Sequence, residues 1–395
     1  METNHKILFH NANNLNQIKD DSIALMITSP PYPMIEMWDS MFSEQNPNIK
    51  EALNKKDGNT TFELMNQELD KVWDEVYRVL IPGGIACINI GDATRTIGGN
   101  FQLFSSSTRI MNHCLKAGFS ALPKILWKKT TNAPNKFMGS GMLPPGAYVT
   151  LEHEYILILR KGGKREFTKP HEKKNRQESA FFWEERNIWF TDIWERLNGV
   201  IQKLNDEKIR ERSAAYPFEL AYRLINMFSV KGDTVLDPYL GTGTTMLAAM
   251  ASARNSIGVE IDSNFKDTIV ERTKAIIDYA NAINKKRIQQ HLEFVKKREA
   301  EKGSLKYTHE KYGFKVMTRQ DNSLILSDLV SCEQAEQNEF KVVYVSNAKE
   351  INNRVVSASK EEKQETHSNK GDFLEVPQIE QEAGRLNASS LYNFF

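Results

Sequence analysis

Length, composition and charge limit what this chain can be. It has 395 residues, a formal net charge of +1 and three cysteines. The length allows one large domain with additions or two domains, and the balanced charge means that any nucleic-acid surface must be local. The cysteines lie far apart and form no Cys-x-x-Cys pair, which argues against a zinc site or a disulfide scaffold. We expect no metal, no membrane segment, since no apolar run reaches ~18 residues, and a cytoplasmic location.

Seven candidate strands alternate with helical segments along the chain. The strands are Ile7–Phe9, Ile23–Thr28, Ile85–Ile90, Lys124–Trp127, Tyr155–Leu159, Val235–Asp237 and Ile257–Glu260. The predicted helices are Glu63–Leu80, ended by Pro82-Gly83-Gly84, then Ser105–Ala117, closed by Gly118, and a helix with Pro217 at its first position. This alternation predicts an α/β fold whose largely parallel sheet is covered by helices on both faces.

The stretch Thr28-Ser29-Pro30-Pro31-Tyr32-Pro33 directly follows the second strand. Two consecutive prolines stop a strand, because neither can donate to a β-ladder and each fixes φ. The Ser29 hydroxyl, the Pro30 carbonyl and the Tyr32 ring could together hold a flat ligand that carries an amino group at its edge. An ordinary surface turn is the alternative interpretation, since Pro-Pro turns are common.

A second motif lies much further along the chain. Val235–Asp237 is followed by Pro238-Tyr239-Leu240-Gly241-Thr242-Gly243-Thr244-Thr245 and then by an alanine-rich helix. A strand, a glycine loop and a helix form a binding site for nucleotide-like cofactors at the carboxyl end of the strand. Met246 replaces the third glycine of a dinucleotide fingerprint, and no phosphate-loop lysine follows. The next strand ends in Glu260, where an acid would bind ribose hydroxyls.

Together, the Thr-Ser-Pro-Pro-Tyr, Asp-Pro-Tyr-Leu-Gly-Thr-Gly-Thr-Thr and Gly-Val-Glu-Ile-Asp motifs resemble amino-group DNA methyltransferases. The Ser-Pro-Pro-Tyr motif precedes the glycine loop by roughly two hundred residues, an order that resembles the β class of these enzymes. The resemblance covers about residues 5–275. It implies a Rossmann-like methyltransferase fold with a seven-stranded, mostly parallel sheet, a target-recognition insertion and a C-terminal extension.

The resemblance also implies the cofactor, S-adenosyl-L-methionine, and the roles of individual residues. The catalytic residues would be Ser29, Pro30, Pro31 and Tyr32. The Ser29 hydroxyl and the Pro30 carbonyl would draw the lone pair of the target amine out of conjugation, and Tyr32 would stack on a base flipped out of the duplex. Asp237 would hold the methionine ammonium and Glu260 the ribose. The cofactor-binding residues would be Asn11, Thr28, Pro217, Phe218, Asp237, Pro238, Tyr239, Gly241, Gly243, Thr244, Thr245, Glu260, Ile261 and Asp262.

The serine that begins the catalytic motif bears on the choice of base. Motifs beginning with serine mostly belong to cytosine N4 methyltransferases, and those beginning with aspartate mostly to adenine N6 enzymes. A serine hydroxyl can also donate to cytosine N3. The sequence therefore favours cytosine N4, with adenine N6 as the alternative. Enzymes of this kind commonly protect double-stranded DNA from a partner restriction endonuclease.

Two further classes of function stay open from the sequence. A nucleotide-binding oxidoreductase is suggested by the glycine loop alone, and the missing third glycine and the Ser-Pro-Pro-Tyr turn argue against it. A catalytically silent DNA-binding protein of the same fold is disfavoured by the intact motifs.

Sequence recognition requires surface beyond the sheet. The candidate DNA-binding residues are Lys136, Lys161, Lys164, Arg165, Lys173, Lys174 and Arg176. Six aromatic residues between Phe181 and Trp194 follow this basic run. Basic residues beside aromatic ones suit phosphate contact and base stacking, although aromatic residues at this density also form small cores. The stretch 130–148 is predicted to be a long loop over the crevice.

These features divide the chain into four parts. Residues 1–129 are the catalytic half of the methyltransferase domain, and 130–212 hold its final strands and the target-recognition region. Residues 213–282 form the cofactor-binding half. Residues 283–395 are a C-terminal extension that we interpret as a small added domain; it contains a charged helix and a strand over Val342–Val345, followed by a polar stretch.

Overall fold

A large mixed sheet organises the chain. The structure is a computed structural model that describes residues 1–129, 138–195, 197 and 216–346. The ten strands of the sheet are β1 (Glu2–Phe9), β2 (Ile23–Thr28), β3 (Leu80–Ile90), β6 (Phe119–Lys128), β9 (His153–Lys161), β10 (Ile193–Trp194), β11 (Thr234–Asp237), β12 (Asn255–Glu260), β15 (Ser327–Glu336) and β16 (Glu339–Ser346). Three two-stranded ribbons accompany it: β4 (Ala93–Ile97) with β5 (Asn100–Phe104), β7 (Met138–Gly139) with β8 (Ala147–Tyr148), and β13 (Tyr307–Thr308) with β14 (Lys315–Val316).

The strand order brings distant segments of sequence together. From one edge to the other it is β10-β6-β9-β3-β2-β11-β12-β1-β16-β15. The five central strands, β3 to β1 in this order, run parallel, while β9 is antiparallel to both of its neighbours. The carboxyl ends of the parallel strands therefore lie along one side of the sheet, where ligands of such sheets bind. We call this line of strand ends, as distinct from the outermost strands, the catalytic edge.

All seven predicted strands are present, but the sheet has ten strands within the described residues. The prediction of seven was too low for two reasons. The two-residue β10 extends one edge by pairing with β6, and the hairpin β15–β16 extends the other by pairing with β1. A two-residue strand has no periodicity to read, and β15 is mostly polar because its outer face is exposed.

Ten α-helices surround the sheet in the part of the chain that the structure describes. They are α1 (Asp39–Gln45), α2 (Pro47–Asn54), α3 (Gly58–Val79), α4 (Ser106–Ala117), α5 (Pro170–Glu178), α6 (Trp183–Trp189), α7 (Phe218–Phe228), α8 (Thr244–Ala251), α9 (Phe265–Lys274) and α10 (Ile276–Lys302). A short 3-10 helix spans Glu36–Trp38. None of the described helices is long and apolar enough to cross a membrane.

Three predicted helices have different boundaries in the structure; α4 begins at Ser106, one residue after its predicted start, because Ser105 is the N-cap. α3 begins at Gly58, because the Asp57 side chain accepts a hydrogen bond from the Thr60 backbone N–H at 3.0 Å and caps the helix. It ends at Val79, before Pro82-Gly83-Gly84, which lies within β3. Pro217 is the N-cap of α7 rather than its first helical residue.

The core lies on both faces of the sheet. Every residue of β2 is buried, and its side chains are divided between the two layers. Leu25 and Ile27 pack in the layer that includes α7 and α8, whereas Met26 packs in the layer that includes α3. Because both faces of the sheet are covered, only residues at the ends of the strands can contact a ligand.

The predicted C-terminal extension, 283–395, is described as far as residue 346. Its charged helix, predicted over Lys285–Lys302, is the C-terminal part of the 27-residue α10, and its predicted strand is part of β16. Since β16 pairs with β1, this portion continues the main sheet and shares one unit with the residues before it. The polar stretch lies outside the described residues.

Candidate active site

The two sequence motifs meet at the middle of the catalytic edge. β11 pairs in parallel with β2, with Leu236 opposite Met26. Their last residues touch: the Thr28 hydroxyl donates to Asp237 Oδ1 at 2.6 Å. The turn Ser29–Pro33 and the loop Pro238–Gly243 therefore leave the sheet side by side, although about two hundred residues separate them in sequence.

Asp237 is the centre of a buried network. Its Oδ1 also accepts from the Tyr239 backbone N–H at 3.1 Å, and its Oδ2 accepts from the Thr245 hydroxyl and lies 3.2 Å from the Tyr216 hydroxyl. Burial raises the pKa of Asp237, and the hydrogen bonds from Thr245 and Thr28 oppose that rise. A carboxylate offers about four lone-pair positions. The protein itself occupies them, so Asp237 fits a positioning role better than the direct ammonium contact expected from sequence.

A second network lies behind the catalytic turn. The Tyr32 hydroxyl donates to Glu154 Oε2 at 2.9 Å and lies 3.0 Å from Ser29 Oγ. Asn89 Nδ2 lies within hydrogen-bonding distance of all three groups, at 2.6 Å from Glu154, 2.9 Å from Tyr32 and 3.4 Å from Ser29. Lys129 pairs with the other oxygen of Glu154. This network holds the Ser29 and Tyr32 side chains in a fixed relation.

Burial and packing keep Tyr32 protonated in this network. Burial, followed by the nearby Glu154 carboxylate, raises the pKa of Tyr32 well above its usual value. Gly91 allows the contact, because a Cβ there would lie 3.0 Å from Tyr32 Cε2 and 3.4 Å from Glu154 Cγ. The Tyr32 hydroxyl therefore stays a donor toward Glu154.

Asn89 and Glu154 were not predicted as functional residues. Both are polar and buried near the catalytic-edge end of β3 and β9, two strands whose middle residues are apolar. A buried polar side chain between apolar neighbours was the available sequence signal, as in Ile88-Asn89-Ile90.

Replacing Glu154 by Gln tests the supporting role of this network. The amide keeps the size of the side chain but removes the charge that faces Lys129 and adds a donor. We expect kcat to fall about tenfold, because a misplaced catalytic group loses rate while cofactor binding is untouched. Single-turnover kinetics and calorimetric titration with S-adenosylmethionine measure the two effects separately. A change in cofactor affinity with normal kcat would contradict this role.

The glycine loop forms a second, open site beside the Asp237 network. Gly241 has φ +53°, and a Cβ built on it would meet nothing within 4 Å. Its N–H donates to Glu260 Oε2 at 2.7 Å, and the Asp262 N–H donates to Glu260 Oε1 at 2.9 Å. Each carboxylate oxygen keeps a further lone pair, so two vicinal hydroxyls can bind side by side. Glu260 thus fits the ribose of the predicted cofactor.

The other predicted cofactor residues lie around these two sites. Gly243 is the N-cap of α8, and Thr242 and Thr244 contact Arg272, a residue that sequence reasoning missed. Tyr216 brings the start of α7, with Pro217 and Phe218, to the Asp237 network. The remaining ones are Asn11 after β1, Pro238 and Tyr239 in the loop, and the exposed Ile261 with Asp262 after β12. Their roles toward a ligand stay predictions.

The predicted basic run lies at the other end of the strands, away from the catalytic edge. β9 is antiparallel to β3, so His153 is at the catalytic edge and Lys161 is about 26 Å away along the strand. Lys161 pairs with Asp21, just before β2, at 2.7 Å, and Arg165 pairs with Asp233, just before β11, at 2.6 Å.

Helix α5, which carries Lys173, Lys174 and Arg176, lies at the same end of the strands. Its Asn175 donates to the Lys231 carbonyl at 2.9 Å, three residues before β11. Lys164 adjoins Arg165 in the same connection. These residues therefore lie at the end of the strands opposite the catalytic turn, which sequence spacing does not show, and their contact with DNA stays a prediction. Lys136 lies outside the described residues.

Part of the aromatic run that follows the basic residues lies in the core. Phe182, Trp189 and Trp194 are buried, so part of the run is core. Among the described residues, no group of three His, Cys, Asp or Glu side chains could hold a metal ion.

Comparison with known proteins identifies the family. A family model described as DNA methylase, of the N6/N4 type, matches residues 23–272. The chain belongs to this N6/N4 DNA methylase family. This DNA methylase is 53% identical over 345 residues to the type II methyltransferase M.MthZI of Methanothermobacter thermautotrophicus, which covers 87% of this chain and 96% of the relative. It is 53% identical over 281 residues to M.MjaI of Methanocaldococcus jannaschii, covering 68% of this chain and 91% of that protein.

A solved structure agrees with the assignment. The protein TTHA0409 of Thermus thermophilus, crystallised with S-adenosyl-L-methionine, is 31% identical to this DNA methylase with a TM-score of 0.53. The match covers 69% of this chain and 95% of that protein. The predicted family, the methyltransferase fold and, at the level of the family, the cofactor are confirmed.

Proposed function

We propose that this chain is the site-specific DNA methyltransferase of a type II restriction–modification system. It methylates the exocyclic amine of a base extruded from the duplex, most favourably cytosine N4, with adenine N6 as the alternative. One observation carries the proposal: the 2.6 Å hydrogen bond from Thr28 to Asp237 joins the end of the catalytic strand to the end of the cofactor strand. The proposal includes a partner restriction endonuclease, and the similarity to relatives named type II methyltransferases supports it.

The cofactor site is assembled from the residues around the glycine loop. Bound S-adenosylmethionine supplies a methyl group activated by a positively charged sulfur. Glu260 binds the ribose hydroxyls, and Gly241 gives the loop room for close approach. Asp237 positions Thr28, Thr245 and the Tyr239 backbone. The cofactor is thereby fixed relative to the catalytic turn, which lowers the entropic part of the barrier.

The catalytic turn binds the target amine. The Pro30 carbonyl and Ser29 Oγ accept its two N–H groups, which localises the nitrogen lone pair and directs it toward the methyl group. The Tyr32 proton is directed to Glu154, and Asn89 lies at hydrogen-bonding distance from Ser29. In the free site Ser29 therefore donates its proton to the Tyr32 oxygen at 3.0 Å, and rotation of the hydroxyl directs this proton to the ring nitrogen beside the amine when the base binds. Cytosine N3 and adenine N1 are both acceptors, so the preference for cytosine rests on serine as the first residue of the motif.

The target base and the recognition sequence can be determined in one experiment. The full chain is expressed in cells, and their DNA is analysed by methylation-sensitive long-read sequencing and by mass spectrometry of nucleosides. We expect N4-methylcytosine at one short sequence. N6-methyladenine instead would establish the alternative, and DNA that carries neither methylated base would overturn the proposal. Ser29→Ala provides the inactive control.

The pH dependence of cofactor binding tests the role of Glu260. Burial raises the pKa of Glu260, and hydrogen bonds from the Asp262 and Gly241 backbone oppose the rise. The ionised form accepts the ribose hydroxyls, so affinity is present above the raised pKa and is lost as the pH falls through it. We expect the affinity of wild type for S-adenosylmethionine to fall as the pH drops through this raised pKa, which places the fall above the ordinary glutamate range. Glu260→Gln should bind more weakly without this fall; the same pH profile in both proteins would contradict the assignment.

A further inference from the structure

Residues 138–151 form an arm that rises from the catalytic edge. Its strands β7 and β8 pair, and the Ser140 N–H donates to the Gly146 carbonyl at 2.9 Å. The arm continues into β9, whose second residue, Glu154, bonds to Tyr32 at 2.9 Å. Glu154 is six positions after Tyr148 in the sequence, which corresponds to at most about 22 Å of extended chain. The arm is therefore based at the rim of the crevice that holds the catalytic turn.

The far end of the arm exposes large apolar side chains. Met142 is 83% exposed and Leu143 is 71% exposed, between the two strands of the ribbon. Soluble proteins rarely leave adjacent large apolar side chains this open unless something covers them. Lower on the arm, Tyr148 stacks on Phe101 of β5, with ring centroids 4.7 Å apart and planes 21° apart. This stacking braces the arm against the β4–β5 ribbon, which also follows a catalytic-edge strand.

The charge of the arm fits a nucleic-acid partner. No acidic or basic residue occurs between Met138 and Leu151, so phosphates are not repelled by carboxylates along it. Lys128 and Lys129 lie at its base, where Lys128 pairs with Glu195 at 3.5 Å and Lys129 pairs with Glu154, so the base carries no excess positive charge. An uncharged arm with an apolar tip suits the stacked apolar bases of a duplex rather than its phosphates.

From these observations we infer that Met142 and Leu143 enter the base stack of the substrate DNA. They fill the space that the extruded base vacates. Apolar wedges of this kind open base steps, and unstacking costs a few kcal/mol per step. The inference rests on the proposed function, because it assigns the wedge to the same base extrusion.

The test uses two duplexes that contain the recognition sequence, one fully paired and one with an abasic site opposite the target base. A mispaired base needs less energy to leave the stack. We expect the Met142→Ala/Leu143→Ala variant to lose at least about tenfold in kcat/KM on the paired duplex, equivalent to about 1.4 kcal/mol, and much less on the other. Affinity for S-adenosylmethionine should not change. Leu143→Met should keep wild-type activity on both duplexes.

The control is Val330→Ala, which removes an exposed apolar side chain from β15, at the far edge of the sheet. It should leave both rates unchanged. Equal losses of the double variant on both duplexes, or none, would overturn the wedge. A loss of self-association in sedimentation with an unchanged ratio of rates would instead assign the arm to a second copy of the chain and also overturn it. If wild type methylates neither duplex, the proposed function itself fails.

Discussion

Ser29→Ala is expected to lower kcat about 10²–10³-fold while the Kd for S-adenosylmethionine stays within about twofold, as for loss of one group that acts in the transition state. Ser29 is the first residue of the catalytic turn, directly after Thr28, and its Oγ lies 3.0 Å from the Tyr32 hydroxyl. Alanine removes the acceptor for the target amine and the donor for its ring neighbour. The Asp237 and Glu260 networks do not include Ser29, so the cofactor site stays intact. Rapid-quench transfer of a labelled methyl group and calorimetric titration measure the two quantities.

The matched control removes a hydroxyl from the other end of the same strand. Ser22 immediately precedes β2 and donates to the Lys19 carbonyl at 2.5 Å on the surface. Ser22→Ala should leave both kcat and cofactor affinity near wild type, within the small range usual for surface substitutions. If Ser29→Ala weakened cofactor binding as strongly as it slowed transfer, its role would be to build the cofactor site rather than to bind the amine.

The central sheet could be predicted because its strands carry strong local patterns. Ile23–Thr28 has the same bounds in prediction and structure. In the structure, the other six strands extend a few residues beyond their predicted bounds at one or both ends. Parallel strands buried on both faces are continuous apolar runs, and those are visible in one sequence. Two strands near the margins of the sheet lack that pattern. β10 has only two residues, and one face of β15 is exposed and polar.

The adjacency of the two motifs was predictable for a different reason. Residues after the carboxyl ends of parallel strands gather at one edge, so Thr28 and Asp237 needed only neighbouring strands to meet. The position of the basic run was not predictable in this way. It required knowing that β9 runs antiparallel, which takes Lys161 and Arg165 to the other end of the strands. A run of lysines and arginines carries no information on strand direction.

Asn89 and Glu154 show that a search for motifs does not find functional residues that lie outside them. Neither belongs to a motif, and each lies in a strand whose other residues are mainly apolar. Their importance arises from the meeting of β3, β9 and the catalytic turn, which places Asn89, Tyr32 and Glu154 within 2.9 Å of one another. The catalytic turn and its supporting side chains thus come from three separate parts of the chain, and only the turn has a recognisable sequence.

The same reasoning makes Asp237→Ala the complement of the serine variant. Alanine leaves the Thr28 and Thr245 hydroxyls and the Tyr239 N–H without their shared acceptor. We expect cofactor affinity to fall at least about tenfold and the free energy of unfolding to fall by about 2–4 kcal/mol, because several buried donors lose their partner. Turnover at saturating cofactor should fall less than in Ser29→Ala. Titration calorimetry and urea unfolding measure these changes.

A milder substitution separates loss of the network from loss of the fold. Thr28→Val keeps the shape of the side chain and removes one of the hydrogen bonds to Asp237, so it should cost about 1–2 kcal/mol of stability and only a fewfold in cofactor affinity. Asp267→Ala, at an exposed carboxylate in the first turn of α9, is the matched acidic control and should leave cofactor binding unchanged. If Asp237→Ala proved as stable and as cofactor-competent as this control, the junction between the two motifs would not depend on the buried carboxylate. Because Asp237 joins both motifs, we expect instead that removing its carboxylate weakens cofactor binding and lowers the free energy of unfolding together.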